Sequence, residues 1–147
     1  MSNGKILLVD DNPSDVELTI RAFEKNGITN KLVVAKDGRE ALDYLFATSK
    51  LDDTLTNNLP ALVLLDLKLP VINGLGVLKQ IKSNPLTQSL IVVILTTSIE
   101  QQDIASAYKL GANSYIRKSV DFFEFVKAIK QMSNYWLQLN QSFTNFN

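Results

Sequence analysis

Short runs of apolar residues alternate along the chain with longer segments that have the apolar spacing of amphipathic helices. Five runs predict β-strands, because they are short and rich in Leu and β-branched residues. The first four contain no polar alternation, which is typical of parallel strands covered on both faces. The five predicted strands are Ile6–Val9, Leu32–Ala35, Leu62–Leu65, Leu90–Leu95 and Ser114–Ile116.

The segments between these strands carry the start and stop signals of helices. The first helix has Asn12 as its N-cap, Pro13 at its first position and Gly27 past its end. The spacing of a capping box predicts that Ser98 begins the fourth helix and that Asp121 begins the fifth. The other signals are Asp37-Gly38 at the start of the second helix, Asn73 to Ser83 for the third, Gln101 and Glu124 as capping-box partners, and Gly111 after the fourth helix.

The order of these elements predicts an α/β fold, a flavodoxin-like doubly wound parallel sheet of five βα units with strand order 2-1-3-4-5. One domain accounts for residues 1–136, and residues 137–147 are expected to form a tail that is flexible or ordered by a partner. Thr48 to Pro60 is predicted to be a surface loop. One face of the fifth helix is predicted to pack on the sheet through Phe122, Phe125, Val126, Ile129 and Met132.

Composition restricts the chemistry of the chain. Its 147 residues include 15 Lys and Arg, 15 Asp and Glu, no His and no Cys. Disulfides, thiolate metal sites, cysteine nucleophiles and Ser/His/Asp triads are therefore excluded. A formal charge of zero argues against nucleic acid and anionic membranes as partners. Because no apolar run is long enough to span a bilayer and no signal peptide is recognisable, we expect a cytoplasmic protein.

Residues that can handle a metal or a phosphate lie at the carboxyl ends of four predicted strands. Asp10 and Asp11 follow the first strand, Asp66 the third, Thr96 the fourth and Lys118 the fifth. Open parallel sheets bind ligands at this edge, where the strand order reverses. Three carboxylates brought together there need a cation, and an all-oxygen set suits Mg²⁺. A carboxylate beside an ammonium and a hydroxyl also suits phosphoryl transfer, and Asp66 is the best acceptor.

Each of these residues taken alone has a simpler interpretation. Asp10 and Asp11 can interact with a helix dipole, and Asp66 can be part of a turn. Thr96 is an ordinary strand residue, and Lys118 an ordinary solvated cation. These separate explanations do not readily account for three acids, a hydroxyl and an ammonium on one edge of a sheet. The set as a whole therefore favours a functional site.

Four motifs at these strand ends make the chain resemble a receiver domain of two-component response regulators. The resemblance extends from Lys5 to about Trp136. The motifs are Leu8-Val9-Asp10-Asp11, Asp66-Leu67-Lys68-Leu69-Pro70 with Gly74 following, Leu95-Thr96-Thr97, and Tyr115-Ile116-Arg117-Lys118.

The resemblance implies a role for each matching residue. Asp66 would be the phosphoacceptor. Asp11, Asp66 and the backbone carbonyl of Lys68 would bind Mg²⁺ directly, and Asp10 would help to position the ion. The implied switch and phosphate-binding residues are Thr96, Lys118 and Tyr115.

Two positions depart from the family pattern. Ser119 replaces the proline that commonly follows the lysine, so the sequence does not decide whether the peptide there is cis as is usual in the family, because a cis bond without proline costs several kcal/mol. Thr97 stands where the family often has a smaller residue. We expect Thr97 to narrow access to the acyl phosphate and to slow its hydrolysis.

The function implied is that of a stand-alone response regulator and not of an enzyme. A histidine kinase would phosphorylate Asp66, and Thr96 and Lys118 would gain a partner that they lack before phosphorylation. The signal would pass to a protein partner or to a second copy through the face of the fourth helix, fifth strand and fifth helix, since no residues remain for a DNA-binding module. Similarity to regulators of phytochrome kinases is suggested by the Thr48–Pro60 loop, the pairs Thr97-Ser98 and Lys118-Ser119, and the Tyr135-Trp136 ending.

Other functions remain open at this point. A receiver-fold adaptor that works without phosphorylation is the hardest to exclude. A phosphatase or phosphotransferase that forms an aspartyl phosphate usually has a second acid two residues after the first, where Lys68 stands here. A dinucleotide-binding module would need a glycine-rich loop after the first strand, where the sequence instead has Asp10-Asp11-Asn12-Pro13.

Overall fold

The computed structural model of the chain describes residues 4–50 and 59–140. Its strands are β1 (Ile6–Val9), β2 (Leu32–Ala35), β3 (Leu62–Leu65), β4 (Val92–Thr96) and β5 (Ser114–Arg117). Its helices are α1 (Pro13–Lys25), α2 (Gly38–Lys50), α3 (Gly74–Ser83), α4 (Gln101–Lys109) and α5 (Phe122–Asn134), with a π-helical turn at Tyr135–Leu139.

The strands form one parallel sheet in the order β2-β1-β3-β4-β5, which confirms the predicted fold. Neighbouring strands end in step: Val9 pairs with Leu65, and Thr96 pairs with Arg117. The residues that follow Val9, Leu65 and Arg117 therefore all emerge at the carboxyl edge of the sheet, from the neighbouring strands β1 and β3 and from β5 beyond β4.

Alternate residues of each strand pack on opposite faces of the sheet. On one face, Leu7 and Val9 join the apolar residues of α2, α3 and α4. On the other face, Ile6 and Leu8 join those of α1 and α5. The predicted apolar face of α5 is confirmed for Phe125, Val126, Ile129 and Met132, which belong to this second cluster.

Three predicted strand ends, in β4 and β5, were wrong by one or two residues. β4 begins at Val92, because Leu90 closes a turn by donating its backbone N–H to Thr87. β4 extends to Thr96, and β5 extends to Arg117. Apolar runs locate a strand, but the backbone pairing with neighbouring strands decides where it ends.

The capping predictions were confirmed at two helices and wrong at a third. As predicted, Asn12 accepts hydrogen bonds from the N–H groups of residues 14 and 15, and Asp121 is the N-cap of α5. Asn73, where the predicted third helix begins, also caps α3 with its side chain. The predicted capping box at Ser98 is wrong, because Glu100 is the N-cap of α4 and makes no side-chain capping bond. Ser98 instead donates its hydroxyl to Asp103 at 2.6 Å.

The start of α5 contains half of the predicted capping box. The Asp121 carboxylate accepts hydrogen bonds from the N–H groups of Phe123 and Glu124. The reciprocal partner is Ser119, whose Oγ accepts the N–H of Asp121 at 3.1 Å, in place of the expected Glu124 carboxylate. No cis peptide bond occurs within residues 4–50 and 59–140, so the Lys118–Ser119 bond, which the sequence left open, is trans.

Two predicted irregular segments are partly helical. α2 continues to Lys50, so residues 48–50 do not belong to the predicted loop, and residues 51–58 lie outside the described residues. The helical backbone continues past Trp136 to Leu139, and the Leu137 side chain is buried. The tail from residue 141 lies outside the described part of the chain, and the proposed domain boundary stays a prediction. None of the helices described is both long and apolar enough to cross a membrane.

Candidate functional site

The charged residues of the site follow the ends of three strands at the carboxyl edge of the sheet. Asp10 follows β1, Asp66 follows β3 and Lys118 follows β5. Backbone hydrogen bonds hold these positions, because the N–H of Asp66 donates to Val9 and the N–H of Lys118 donates to Thr96, at 3.0 and 2.7 Å. The parallel register therefore brings together side chains that are far apart in the sequence.

The acidic residues form the predicted cluster. Asp10, Asp11 and Asp66 each offer a carboxylate oxygen, and these oxygens lie within 4.8 Å of one another. Asp10 is 1% exposed, whereas Asp11 faces solvent. Three carboxylates at this separation repel one another, and oxygen ligands of this kind fit a hard divalent cation. The donor set therefore fits the predicted Mg²⁺.

Lys118 is the centre of the site. Its ammonium donates hydrogen bonds to Asp10 at 2.6 Å, to Asp15 at 3.0 Å and to Asp66 at 3.2 Å. Burial alone would lower the pKa of Lys118, but the hydrogen bond to Asp10 and the charges of Asp66 and Asp10 outweigh burial and raise the pKa above its ordinary value. The ammonium therefore remains charged. Burial raises the pKa of Asp10, and its hydrogen bonds from Lys118 and Asn12 oppose this effect.

This geometry corrects one expectation about Lys118. We expected a phosphoryl group to give Lys118 a partner that it lacks beforehand, but three carboxylates already accept its hydrogen bonds. An ammonium has three N–H donors, so none of them is left over. A phosphoryl group on Asp66 would take over an existing contact of Lys118.

Thr96, unlike Lys118, fits the expectation that a phosphoryl group would supply a missing hydrogen-bond partner. Its side chain is fully buried, and its hydroxyl has no hydrogen-bond partner in the described part of the chain. A buried hydroxyl without a partner costs about 1–3 kcal/mol, so such groups call for an explanation. An acceptor that arrives only during function is one such explanation.

Tyr115 reaches the loop that follows Thr96. Its half-buried ring packs against the core, and its hydroxyl donates a hydrogen bond to the backbone carbonyl of Ser98 at 2.9 Å. Burial raises the pKa of the Tyr115 phenol, and the hydrogen bond to Ser98 opposes this rise. The predicted aromatic switch residue thus contacts the loop between β4 and α4 directly.

The loop after Asp66 closes tightly on Gly74. The N–H of Gly74 donates to the carbonyl of Leu67 at 2.8 Å, and a Cβ at Gly74 would overlap the carbonyl oxygen of Asp66. The N–H of Lys68 approaches the Asp66 carboxylate at 3.4 Å. Position 74 therefore requires a glycine, because a side chain there would displace the backbone of Asp66.

Sequence reasoning missed one residue of the site, Asp15. This residue lies in the first turn of α1, where an acid is a common helix-start residue. Its contact with Lys118 joins residues 103 positions apart. No spacing rule within the sequence pointed to it.

The fold and the site place the chain in the class of flavodoxin-like α/β domains with an acidic site at the carboxyl edge of the sheet. Within that class, the profile of the response regulator receiver domain matches residues 6–130. The chain belongs to this family.

Relatives from archaea and cyanobacteria cover nearly the whole chain. The probable methanogenesis regulatory protein FilR2 of Methanothrix harundinacea is 40% identical over 137 residues, which is 93% of this chain and 86% of FilR2. Response regulator Rcp1 of Synechocystis sp. is 33% identical over 133 residues, which is 90% of this chain and 88% of Rcp1. These relatives are named as regulators.

Solved structures show the same fold. The crystal structure of the phosphorylated cyanobacterial phytochrome response regulator RcpA has a TM-score of 0.85 and 34% identity, and the match covers 97% of this chain and 100% of RcpA. The Mn²⁺-bound form of Rcp1 has a TM-score of 0.82 and 31% identity, and covers 96% of this chain and 99% of Rcp1. The resemblance to receiver domains, including those associated with phytochromes, is thus confirmed.

Proposed function

We propose that the chain is a phosphorylation-dependent switch in which Asp66 accepts a phosphoryl group from a histidine kinase. The observation that carries this proposal is the contact of the buried Lys118 ammonium with Asp66, together with the buried Thr96 hydroxyl, which has no hydrogen-bond partner within residues 4–50 and 59–140. Together these groups provide a nucleophile, a cation and a hydrogen-bond donor for a phosphoryl group. The protein acts as a switch and not as an enzyme.

Mg²⁺ is the cation that we propose for this site. Asp11, Asp66 and the backbone carbonyl of Lys68 would hold it, and Asp10 would help to position it. The relative Rcp1 has a Mn²⁺-bound form, which supports a divalent cation as a ligand of this chain. When bound, the ion neutralises negative charge on the transferring phosphoryl group.

The reaction joins an Asp66 carboxylate oxygen to phosphorus while the bond from phosphorus to the kinase histidine nitrogen breaks. The product is an aspartyl phosphate, and the imidazole leaves with the bonding electrons. Lys118 moves its contact from the Asp66 carboxylate to the new phosphoryl oxygens. The absence of histidine from this chain agrees with a donor on another molecule.

The switch begins at Thr96. Its hydroxyl can donate a hydrogen bond to a phosphoryl oxygen, which would remove the cost of leaving it unpaired. Residues 97–100, which follow it, would move with it, and Tyr115 contacts that loop. Inverting a population from 1:99 to 99:1 requires about 5.5 kcal/mol, so we expect a partner or a second copy to complete the shift.

Intact-mass analysis tests the proposal directly. The wild-type chain is incubated with a small phosphodonor and Mg²⁺, and we expect one phosphoryl adduct. Asp66→Asn should abolish the adduct, and Asp43→Asn, an exposed carboxylate on α2, should retain it. Absence of an adduct from the wild type would contradict the proposal and favour an adaptor that works without phosphorylation.

A phytochrome-type histidine kinase is the partner that we propose. RcpA is a phytochrome response regulator, and its structure is similar to this one over 97% of this chain. Phosphotransfer from a phytochrome-type kinase should be faster than transfer from a kinase without a photosensory domain. Equal rates would contradict this part of the proposal.

Phosphorylation is proposed to promote a homodimer through the α4, β5 and α5 face. Exposed apolar side chains support this face, including Tyr108 on α4 (49% exposed) and Phe123 on α5 (76% exposed). Beryllofluoride, which stands in for the phosphoryl group, should shift the chain to a larger species in size-exclusion chromatography. Phe123→Ser should reduce that shift, and coinciding traces with and without beryllofluoride would exclude the dimer switch.

A further inference from the structure

Three different carboxylates share the Lys118 ammonium. Asp10 and Asp66 belong to the acidic cluster, but Asp15 does not follow a strand and has no part in the mechanism described above. Its contact with the Lys118 nitrogen, at 3.0 Å, is shorter than that of Asp66, at 3.2 Å. Asp66 therefore shares the Lys118 ammonium with Asp10 and Asp15.

The first turn of α1 fixes the backbone of Asp15 on both sides. Its N–H donates to the Asn12 side chain at 3.1 Å, and its carbonyl accepts the hydroxyl of the buried Thr19 at 2.8 Å. The Asp15 side chain is 32% exposed and that of Lys118 is 9% exposed. The contact lies at the boundary between the pocket and solvent, and it is built into the start of the helix.

We propose that Asp15 is a positioning residue that draws the Lys118 ammonium away from Asp66 and so weakens the binding of a phosphoryl group there. This inference rests on the proposed phosphorylation of Asp66. The Asp15 and Asp66 oxygens contact the same nitrogen, so they lie within about 6 Å of each other. A phosphoryl group carries roughly −1.5 to −2 charge at neutral pH, so Asp15 both repels it and competes for its cation.

The same carboxylate has the opposite effect on a divalent cation. Asp15 adds negative charge beside the acidic cluster and offsets the positive charge of Lys118. Both effects favour cation binding. Removal of the Asp15 charge should therefore weaken the binding of the cation and strengthen the binding of the phosphoryl group. A general loosening of the pocket would weaken both.

The test measures these two affinities in Asp15→Asn. Isothermal titration calorimetry gives the Mg²⁺ affinity alone, and a second titration gives the beryllofluoride affinity at saturating Mg²⁺. We expect the Mg²⁺ affinity to fall and the beryllofluoride affinity to rise, each by about threefold to tenfold. The lifetime of the aspartyl phosphate should lengthen in the same variant.

Glu17→Gln is the matched control. Glu17 lies on the same helix as Asp15, and the substitution removes the same charge. Glu17, however, pairs with Arg21, and both of these side chains are more than half exposed. We expect both affinities of this variant to stay within about twofold of the wild type, because exposed charges are well screened.

The outcomes separate this inference from the proposed function. Beryllofluoride binding that is unchanged or weaker in Asp15→Asn overturns the role of Asp15, as does an equal effect of Glu17→Gln. Asp15→Ala repeats the test should the Asn variant fold poorly. A wild-type chain that binds no beryllofluoride would overturn the phosphorylation proposal itself, whereas normal wild-type binding with an unchanged Asn variant removes only this inference.

Discussion

The phenol of Tyr115 donates a hydrogen bond to the backbone carbonyl of Ser98 at 2.9 Å, and the Ser98 hydroxyl donates to Asp103 of α4 at 2.6 Å. Ser98 thus joins β5 to α4, two residues after Thr96. A movement of Thr96 toward Asp66 is expected to reach α4 through this residue.

Tyr115→Phe removes the first of these two hydrogen bonds. We expect the free energy of unfolding to fall by about 0.5–1.5 kcal/mol, because the Ser98 carbonyl loses a partner. Phosphorylation should be retained, and amide hydrogen exchange at residues 97–100 should become faster. Tyr108→Phe, on an exposed tyrosine of α4, serves as the control. Unchanged exchange in the Tyr115 variant would contradict the coupling.

Two fully buried threonines should respond in opposite ways to replacement by valine. Thr96 has no hydrogen-bond partner among the described residues, so Thr96→Val should raise the free energy of unfolding by about 1–3 kcal/mol. Thr87 donates its hydroxyl to the carbonyl of Ile81 at 2.7 Å, so Thr87→Val should lower it. Chemical denaturation measures both, and a change of the same sign would contradict the assignment of Thr96. Thr96→Val should also weaken beryllofluoride binding.

Thr97 is predicted to slow the hydrolysis of the aspartyl phosphate. It is exposed and directly follows Thr96, so its methyl and hydroxyl groups can limit the access of water. Thr97→Ala should shorten the lifetime of the phosphorylated chain a few-fold, as measured by loss of the phosphoryl adduct over time. Thr29→Ala, an exposed threonine before β2, controls for the substitution itself. Identical decay in the wild type and Thr97→Ala would rule out this role.

Val71 has a strained backbone in the loop that follows Asp66. Its φ is 71°, a conformation that β-branched residues rarely adopt, and its side chain is 73% exposed. Val71→Asn should raise the free energy of unfolding by about 1 kcal/mol, because Asn tolerates this conformation and little apolar contact is lost. Thermal denaturation measures the change. Gly27→Ala, at a φ of 68°, should have the opposite sign.

Because Lys82 is a partly buried ammonium, we expect the free energy of unfolding to rise with pH in the alkaline range. Its ammonium donates to the carbonyls of Gln88 and Leu90 and to the side chain of Asn113, all of which are neutral. Burial lowers the pKa of Lys82 below its ordinary value of 10.5. Between the folded-state pKa and 10.5 the unfolded chain binds more protons, so the folded state gains stability as the pH rises.

The comparison with Lys82→Met isolates this effect from other titrating groups. The free energy of unfolding of the wild type, relative to the variant, should increase by at most about 1.4 kcal/mol per pH unit on approaching the unfolded-state pKa. Denaturant titrations at several pH values measure this difference. A difference that is flat or falls with pH would contradict the buried, charged state of Lys82.

Local sequence signals predicted those features that depend on neighbouring residues. Asn12 and Asp121 cap their helices as expected, because a cap needs only a side chain and the amides that follow it. Ser98 does not cap α4, and its polar groups pair elsewhere: its hydroxyl donates to Asp103 of α4, and its backbone carbonyl accepts the phenol of Tyr115. The spacing of a capping motif contains no information about partners of this kind outside the motif.

From the amino-acid pattern alone it is possible to predict the order of strands and helices, the location of the five strands and the sheet edge that carries the functional residues Asp10, Asp11, Asp66, Thr96 and Lys118. These follow from the periodicity of apolar residues and from the rule that parallel strands end at a common edge. The pairing of the polar groups at this edge is visible only in the folded chain. The tertiary structure gave Lys118 three carboxylates, including Asp15, and left the Thr96 hydroxyl without a partner among the described residues. Hydrogen bonds depend on ångström-scale distances between segments far apart in the chain, and no local pattern encodes those distances.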